Sequence, residues 1–135
     1  MQTNAMKHAE AYYTLVGKKD REGVKKYLHP HVAFYGPLAT LQGKDAVLTA
    51  TCNFMKTITS LKIRHVFGEN EMAMVVYDTD ILGIQNGFPG ASLLQFIGDE
   101  IVRIELFYDA SRFVEKKEEI FSTGSNKASP IPKSG

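Results

Sequence analysis

The spacing of apolar residues over the first part of the chain predicts three helices and one strand. Between residues 5 and 17, apolar side chains recur three or four positions apart, the pattern of an amphipathic helix. A second, short helix is predicted from Asp20, a good N-cap residue, to Leu28, and Pro30 would end it. A short strand, a loop and a third helix follow, at residues 31–36, 37–43 and 44–56.

From residue 61 onward the pattern changes to that of β-strands. Four β-prone runs follow one another, at residues 61–67, 72–82, 91–97 and 101–108. Residues 83–90 contain an Asn-Gly and a Pro-Gly pair and are predicted to be a loop, and Gly98-Asp99 is predicted to be a tight hairpin turn. Helices that precede strands in this way predict an α+β fold with three or four antiparallel strands.

Length and composition indicate a single globular domain. The chain has 135 residues, of which 44% are hydrophobic and 23% charged, and its formal net charge is +1. The hydrophobic content is enough for a sizeable core. The near-neutral net charge provides no positive electrostatic field that would attract nucleic acid. No apolar run approaches the roughly 20 residues that span a bilayer, and the first residues show no apolar segment typical of a signal peptide. We expect a cytoplasmic protein without a membrane partner, a domain over residues 1–121 and a disordered tail over residues 122–135.

Cysteine and histidine usage argues against metal chemistry. Cys52 is the only cysteine, so neither an intrachain disulfide nor a cysteine-based zinc site can form, and we interpret it as a small buried apolar residue. His29 and His31 flank Pro30, but no third ligand is apparent. We expect no metal and no cofactor.

A series of segments in a defined order suggests a family. The series begins with Tyr12-Tyr13 on the first helix and the Lys19-Asp20 turn. It continues with YLHPHVAFYGP at residues 27–37, GKDAV at residues 43–47 and IVRIELFYD at residues 101–109. Together these segments resemble the nuclear-transport-factor-2-like superfamily, and within it the ketosteroid isomerase and SnoaL-like polyketide cyclase group, over about residues 5–113.

The resemblance implies a fold and a kind of site. The fold would be a cone-shaped, curved antiparallel sheet wrapped around the N-terminal helices, with an apolar pocket between sheet and helices. The resemblance also implies a homodimer and a small hydrophobic ligand. Because the family holds isomerases, cyclases, dehydratases, hydrolases and non-catalytic binding modules, the fold does not select among these activities.

The ketosteroid isomerase mechanism does not fit this sequence. Those enzymes carry a general-base aspartate directly before the proline that ends the first strand, whereas here Gly36 precedes Pro37. Their second functional carboxylic acid corresponds by spacing to Ser92, and their first-helix tyrosine to Tyr13 or Tyr12. The base and the acidic donor are therefore both missing, and we exclude that mechanism.

The SnoaL-like cyclases imply a different base. They place an essential aspartate on the last strand, and Asp109 fits that position. Such a base would act on an apolar carbonyl-bearing substrate while Tyr13 or Tyr35 donates a hydrogen bond to the developing oxyanion. The alternative is that Asp109 caps the strand. Strict alternation puts Asp109 on the face of Glu105, opposite the apolar face, and a bulge would be needed to bring it inward.

The remaining candidates each have a simpler interpretation. His65 could act as an acid–base or binding group, although an exposed strand histidine is the simpler interpretation. Asp78 and Asp80 share one strand face and would form a paired-carboxylate site if it pointed inward, but we favour a solvated edge. The candidates for the pocket lining, each of which also fits a plain core, are Tyr35, Phe54, Met55, Leu94 and Phe96.

Three functions remain open at this point. The first is a lyase, isomerase or hydrolase with Asp109 as general base. The second is a non-catalytic module that binds a hydrophobic ligand or serves dimerisation. The third is an adaptor for a protein partner, which would need an additional exposed apolar patch. A carboxylate inside the pocket would favour the enzyme over the other two.

Overall fold

Three helices pack on one face of a six-stranded sheet. The computed structural model describes residues 2–112. The helices are α1 (Asn4–Gly17), α2 (Arg21–Tyr27) and α3 (Lys44–Thr57). The strands are β1 (Leu28–Tyr35), β2 (Thr40–Gln42), β3 (Ile58–Glu69), β4 (Met72–Ile81), β5 (Gln85–Ile97) and β6 (Glu100–Phe107), and a short 3₁₀ turn at Ala110–Arg112 follows.

The sheet is curved and unclosed, with the order β2-β1-β6-β5-β4-β3. The predicted α+β class is therefore confirmed, with more strands than the sequence pattern indicated. One pairing differs from the predicted antiparallel arrangement, because β1 runs parallel to β6. These two strands are far apart in the chain and no hairpin joins them, so no short turn fixes their relative direction.

Local capping explains where the first two helices begin and end. The Thr3 hydroxyl accepts a hydrogen bond from the Met6 amide at the start of α1. Lys19 adopts a φ of 60° after α1 and turns the chain towards α2. The predicted N-cap Asp20 accepts a hydrogen bond from the Gly23 amide at 3.0 Å. The N-terminal signal for α2 was therefore correctly identified from the sequence.

Several predicted boundaries are wrong. Helix α2 ends at Tyr27, before Pro30, and strand β1 already begins at Leu28. The predicted loop at residues 37–43 contains β2, and the predicted loop at residues 83–90 contains the first part of β5. The predicted turn at Gly98 is confirmed. The predicted disordered tail lies outside the described residues.

The two faces of the sheet have different environments. Along β4, Ala73, Val75, Tyr77, Thr79 and Ile81 are buried on the inner face, which the helices cover. The alternate residues lie on the opposite, outer face. Strand register aligns two rows across that outer face: Phe67, Met74, Leu93 and Glu105 in one, and His65, Val76, Ala91 and Phe107 in the other.

Gly68 of β3 lies close to Met6 of helix α1. A methyl group at this position would lie 2.6 Å from Met6 Cγ and 2.7 Å from the Met72 carbonyl oxygen. Glycine therefore permits a close contact between α1 and β3 at this point. None of the helices within residues 2–112 has the length and apolar character needed to cross a membrane.

Candidate functional site

A pocket of about 80 Å³ lies between the inner face of the sheet and helices α1 and α3. Residues from α1, α3, β1, β4, β5 and β6 contribute to its wall. The lining is mostly apolar, and within residues 2–112 it includes no Asp, Glu, His, Lys or Arg side chain. Seven of the lining residues are aromatic: Tyr12, Tyr13, Phe34, Phe54, Tyr77, Phe88 and Tyr108.

Three hydroxyl groups meet beside this pocket. The Tyr13 hydroxyl donates to Ser92 Oγ at 2.6 Å, and the Tyr77 hydroxyl lies 3.1 Å from the same oxygen, where either group can donate. The rings of Tyr13 and Tyr77 stack with their centroids 4.8 Å apart. Both tyrosines line the pocket, whereas Ser92 is fully buried behind them. We call Tyr13, Tyr77 and Ser92 the hydroxyl triad.

Burial keeps the tyrosines of the pocket protonated. Desolvation raises the pKa of Tyr13 well above its ordinary value, and the nearby Tyr77 and Tyr12 phenols add to the rise. Desolvation likewise raises the pKa of Tyr77, although the hydrogen bond to Ser92 opposes part of the effect. The hydroxyl triad is therefore a set of neutral donors and acceptors near neutral pH.

Other polar groups around the pocket have partners within the protein. Burial raises the pKa of Tyr12, whose hydroxyl is hydrogen-bonded to Thr51. The Thr51 hydroxyl donates to the Val47 carbonyl oxygen at 2.8 Å, and the Thr79 hydroxyl donates to the Phe88 carbonyl oxygen at 3.3 Å. Partial burial raises the pKa of Tyr108 to about 12. The hydroxyl triad is thus the best-defined polar element of the wall.

The structure brings two of the candidate residues from the sequence into this pocket. Tyr13 and Phe54 belong to its lining. Met55, Leu94 and Phe96 are buried core residues outside the lining. All three nevertheless support the elements that form the wall.

The other two candidate binding residues, Tyr35 and His65, lie on the outer face. The Arg103 guanidinium lies over the Tyr35 ring in a cation–π contact, 4.3 Å from the ring centroid. The His65 ring stacks on Phe67 at 5.7 Å. Neither side chain lines the pocket.

The acidic candidates also lie away from the lining. Asp109 is exposed, just after β6, and its carboxylate accepts a hydrogen bond from the Ser111 amide at 3.0 Å. Asp78 and Asp80 are on the outer face of β4, and Asp78 pairs with Arg64 at 3.5 Å. Within residues 2–112 no group of three His, Cys, Asp or Glu side chains is arranged to hold a metal ion.

Sequence reasoning missed Tyr77 as a site residue. Its signal was available, because Tyr77, Thr79 and Ile81 alternate with Asp78 and Asp80 in a β-prone run. If the aspartates face solvent, Tyr77 must face the core. The partner Ser92 could not be assigned to it locally, since the two residues meet only through the register of β4 with β5.

Comparison with known proteins places this fold and pocket in a group. The SnoaL-like domain model matches residues 9–104 of the chain. No curated protein matches the chain in sequence. The chain belongs to the SnoaL-like domain family, and it shares its fold with NTF2-like and ketosteroid isomerase-like proteins.

Solved structures support the same fold. A crystal structure from Kribbella flavida matches with a TM-score of 0.79 at 20% identity, covering 86% of this chain and 95% of the other. A steroid delta-isomerase from Pseudomonas aeruginosa matches with a TM-score of 0.72 at 17% identity, covering 89% and 90%. An NTF2-like protein from Cytophaga hutchinsonii matches with a TM-score of 0.69 at 15% identity, covering 82% and 93%.

Proposed function

We infer that this chain binds one small, neutral, mainly apolar molecule that carries an oxygen acceptor such as a ketone carbonyl. The observation that carries the proposal is an aromatic pocket whose best-defined polar element is the hydroxyl triad of Tyr13, Tyr77 and Ser92. A concave apolar site with a few convergent polar groups is the usual form of a small-molecule site.

The chemistry of the lining favours a neutral ligand. No charged side chain of residues 2–112 lines the pocket. An ion that leaves water for such a site loses its hydration without gaining an opposite charge, which costs several kcal/mol. An uncharged molecule avoids this cost and gains from the burial of its apolar surface.

The hydroxyl triad favours an acceptor on the ligand. Its three hydroxyls carry three protons, and the two contacts with Ser92 use two of them. When Ser92 donates to Tyr77, the third proton belongs to Tyr77, which lines the pocket. The opposite direction would leave that proton on Ser92, which is fully buried and outside the lining. The side chains of Tyr77 and Tyr13 are also hydrogen-bonded to each other, so a ligand oxygen near Tyr77 would compete with Tyr13 for this proton.

The volume favours a compact ligand. The pocket encloses about 80 Å³, about half of the roughly 150 Å³ of an engineered apolar cavity that binds benzene. One ring or a short branched chain could occupy it with slight adjustment. Any larger molecule would extend beyond the pocket, whose lining includes partly exposed residues such as Tyr108.

A matched pair of ligands tests this proposal. Para-fluoroacetophenone has a carbonyl oxygen, and para-fluoro-α-methylstyrene replaces that oxygen with a methylene group of similar shape. One neutral hydrogen bond adds about 1 kcal/mol, so the ketone is expected to bind about fivefold more tightly in fluorine NMR titrations. Equal affinities would refute the acceptor preference, and the absence of binding by both would refute the pocket proposal.

An enzymatic role for Asp109 is a second candidate. Its support is that Asp109 directly follows Tyr108, which lines the pocket. General-base chemistry on a bound ketone would exchange its α-hydrogens with solvent deuterium. The binding proposal predicts no protein-dependent exchange of para-fluoroacetophenone methyl hydrogens. Exchange that is fast in the native protein and lost in Asp109→Asn would favour the enzyme.

The proposal includes a homodimer formed through the outer face of the sheet, in the cytoplasm. Phe67 and Phe107 are 58% and 44% exposed on that face. Burying them against a second copy would remove apolar area from water. Light scattering is expected to give a dimer mass that Phe67→Glu converts to a monomer mass, while Leu82→Glu, in the turn after β4, leaves the dimer intact. A monomeric native protein would contradict this part of the proposal.

A further inference from the structure

One wall of the pocket is formed by the beginning of β5. Phe88, Pro89 and Gly90 line the pocket there. The Phe88 ring is buried and meets the Tyr108 ring edge to face, with centroids 6.2 Å apart. We call residues 85–90 the wall segment, because a shift of this segment would move the Phe88 ring and change the width of the pocket.

Two side chains of β4 fasten the wall segment. On the inner face, the Thr79 hydroxyl donates to the Phe88 carbonyl oxygen at 3.3 Å. On the outer face, Asp80 Oδ1 accepts from the Gly87 amide at 2.7 Å. Asp80 Oδ2 accepts from the Ser60 hydroxyl on edge strand β3 at 2.8 Å. The Asp80 carboxylate therefore joins three consecutive strands of the sheet.

The irregular register at this point explains why a side chain is needed to fasten the wall segment to β4. Thr79 pairs with Phe88 and Ile81 pairs with Gln85, so one β4 residue faces two residues of β5. The wall segment is therefore bulged, and Gly87 adopts a φ of 67°. Its amide is directed to the Asp80 carboxylate, and a hydrogen bond to a charged acceptor is stronger than a neutral one.

We propose that Asp80 is a positioning residue that holds the wall segment closed and thereby sets how fast a ligand enters and leaves the pocket. Asp80 does not line the pocket, so it acts through Gly87 and the adjoining Phe88. The ligand part of this inference rests on the proposed function, whereas the fastening of Gly87 does not.

Asp78 provides a matched control. It is on the same strand and the same outer face as Asp80, and it is an acidic residue of the same size. Its side chain pairs with Arg64 on β3 at 3.5 Å. Its register partner in the wall segment is Pro89, which has no amide hydrogen to donate. Removing the Asp78 carboxylate should therefore leave the wall segment fastened.

Amide hydrogen exchange by NMR tests the fastening in the full chain without any ligand. Asp80→Ala is expected to raise the exchange rate of the Gly87 amide by at least about tenfold, the loss expected for a hydrogen bond to a charged acceptor. Asp78→Ala is expected to leave it unchanged, and Asp80→Asn, which keeps an acceptor oxygen without the charge, to fall between. Equal Gly87 rates in the native protein and Asp80→Ala would overturn the proposal.

Ligand exchange tests the consequence for the pocket. Fluorine NMR exchange with para-fluoroacetophenone is expected to give higher rates of both entry and exit in Asp80→Ala than in Asp78→Ala, with a smaller change in affinity. A substitution that only weakened ligand binding would raise the exit rate alone, and a general loss of stability would appear in Asp78→Ala as well. Unchanged rates with faster Gly87 exchange would overturn the gating role. If the probe does not bind the native protein, the proposed function fails while Gly87 exchange still decides the fastening.

Discussion

Replacing Ser92 with alanine removes the oxygen that joins two buried tyrosines. Tyr13 donates its proton to Ser92 Oγ at 2.6 Å, and Tyr77 shares the same oxygen at 3.1 Å. All three residues are buried, so the phenol oxygens have little access to bulk water. The substitution makes almost no change in packing volume, and its effect therefore reports mainly on the hydrogen bonds.

The expected cost follows from the two phenols. A buried polar group left without its partner costs about 1–3 kcal/mol. Both tyrosines line the pocket, where they can use a pocket water, and they are also hydrogen-bonded to each other, which reduces the share of each. We therefore expect Ser92→Ala to lower the free energy of unfolding by about 2 kcal/mol, a large fraction of the roughly 5–15 kcal/mol of a typical domain.

Urea unfolding followed by circular dichroism measures this cost. At a denaturant dependence of about 1–3 kcal/mol per molar, the midpoint should fall by roughly 1 M. The control is the same substitution in a Tyr13→Phe/Tyr77→Phe background, where no phenol depends on Ser92. There Ser92 has lost both phenol partners, so the substitution should cost nothing or raise the stability, which gives a coupling of at least about 2 kcal/mol between Ser92 and the two phenols. An equal cost in both backgrounds would refute the hydroxyl triad as a stabilising unit.

Two further predictions concern stability. Gly68→Ala should lower the free energy of unfolding by about 1–3 kcal/mol, because the added methyl group would overlap backbone and side-chain atoms. The control is Gly17→Ala, and equal urea midpoints for the two variants would contradict this prediction. Burial raises the pKa values of Tyr12, Tyr13, Tyr77 and the partly buried Tyr108 above 10, so the stabilisation by these protonated phenols should be fully present below pH 10. Above pH 10 the free energy of unfolding should fall by about 4 kcal/mol per pH unit from the three fully buried phenols alone. Phenolate absorbance from all six tyrosines before any loss of circular dichroism would contradict this assignment.

The order of the elements was predictable because each carries a local signal. Asp20 as an N-cap and Gly98 in a hairpin turn act through neighbouring residues, and the structure confirms both. Residues 85–90 were predicted to be a loop because Asn-Gly and Pro-Gly are turn pairs. They form a bulged strand that pairs with β4, and the Asp80 carboxylate of β4 binds the Gly87 amide. Local sequence reveals neither contact.

The faces of individual residues were harder to predict than the elements. Residues 32–35 of β1 are all apolar or aromatic, so no alternation shows that Tyr35 lies on the outer face. In β3 the register shifts between Ile63 and His65, which changes the face on which the following residues lie. Tyr13 was identified through the family resemblance, whereas its partner Tyr77 depends on strand register and helix packing.

The most direct test of the binding site combines the matched ligands with one hydroxyl deletion. Tyr77→Phe removes the hydroxyl that would donate to a ligand and keeps the aromatic wall of the pocket. Fluorine NMR titration should show that the native protein prefers para-fluoroacetophenone over para-fluoro-α-methylstyrene by about fivefold, and that Tyr77→Phe binds the two ligands equally. A ketone preference that persists in Tyr77→Phe would contradict the assignment of the donor to Tyr77.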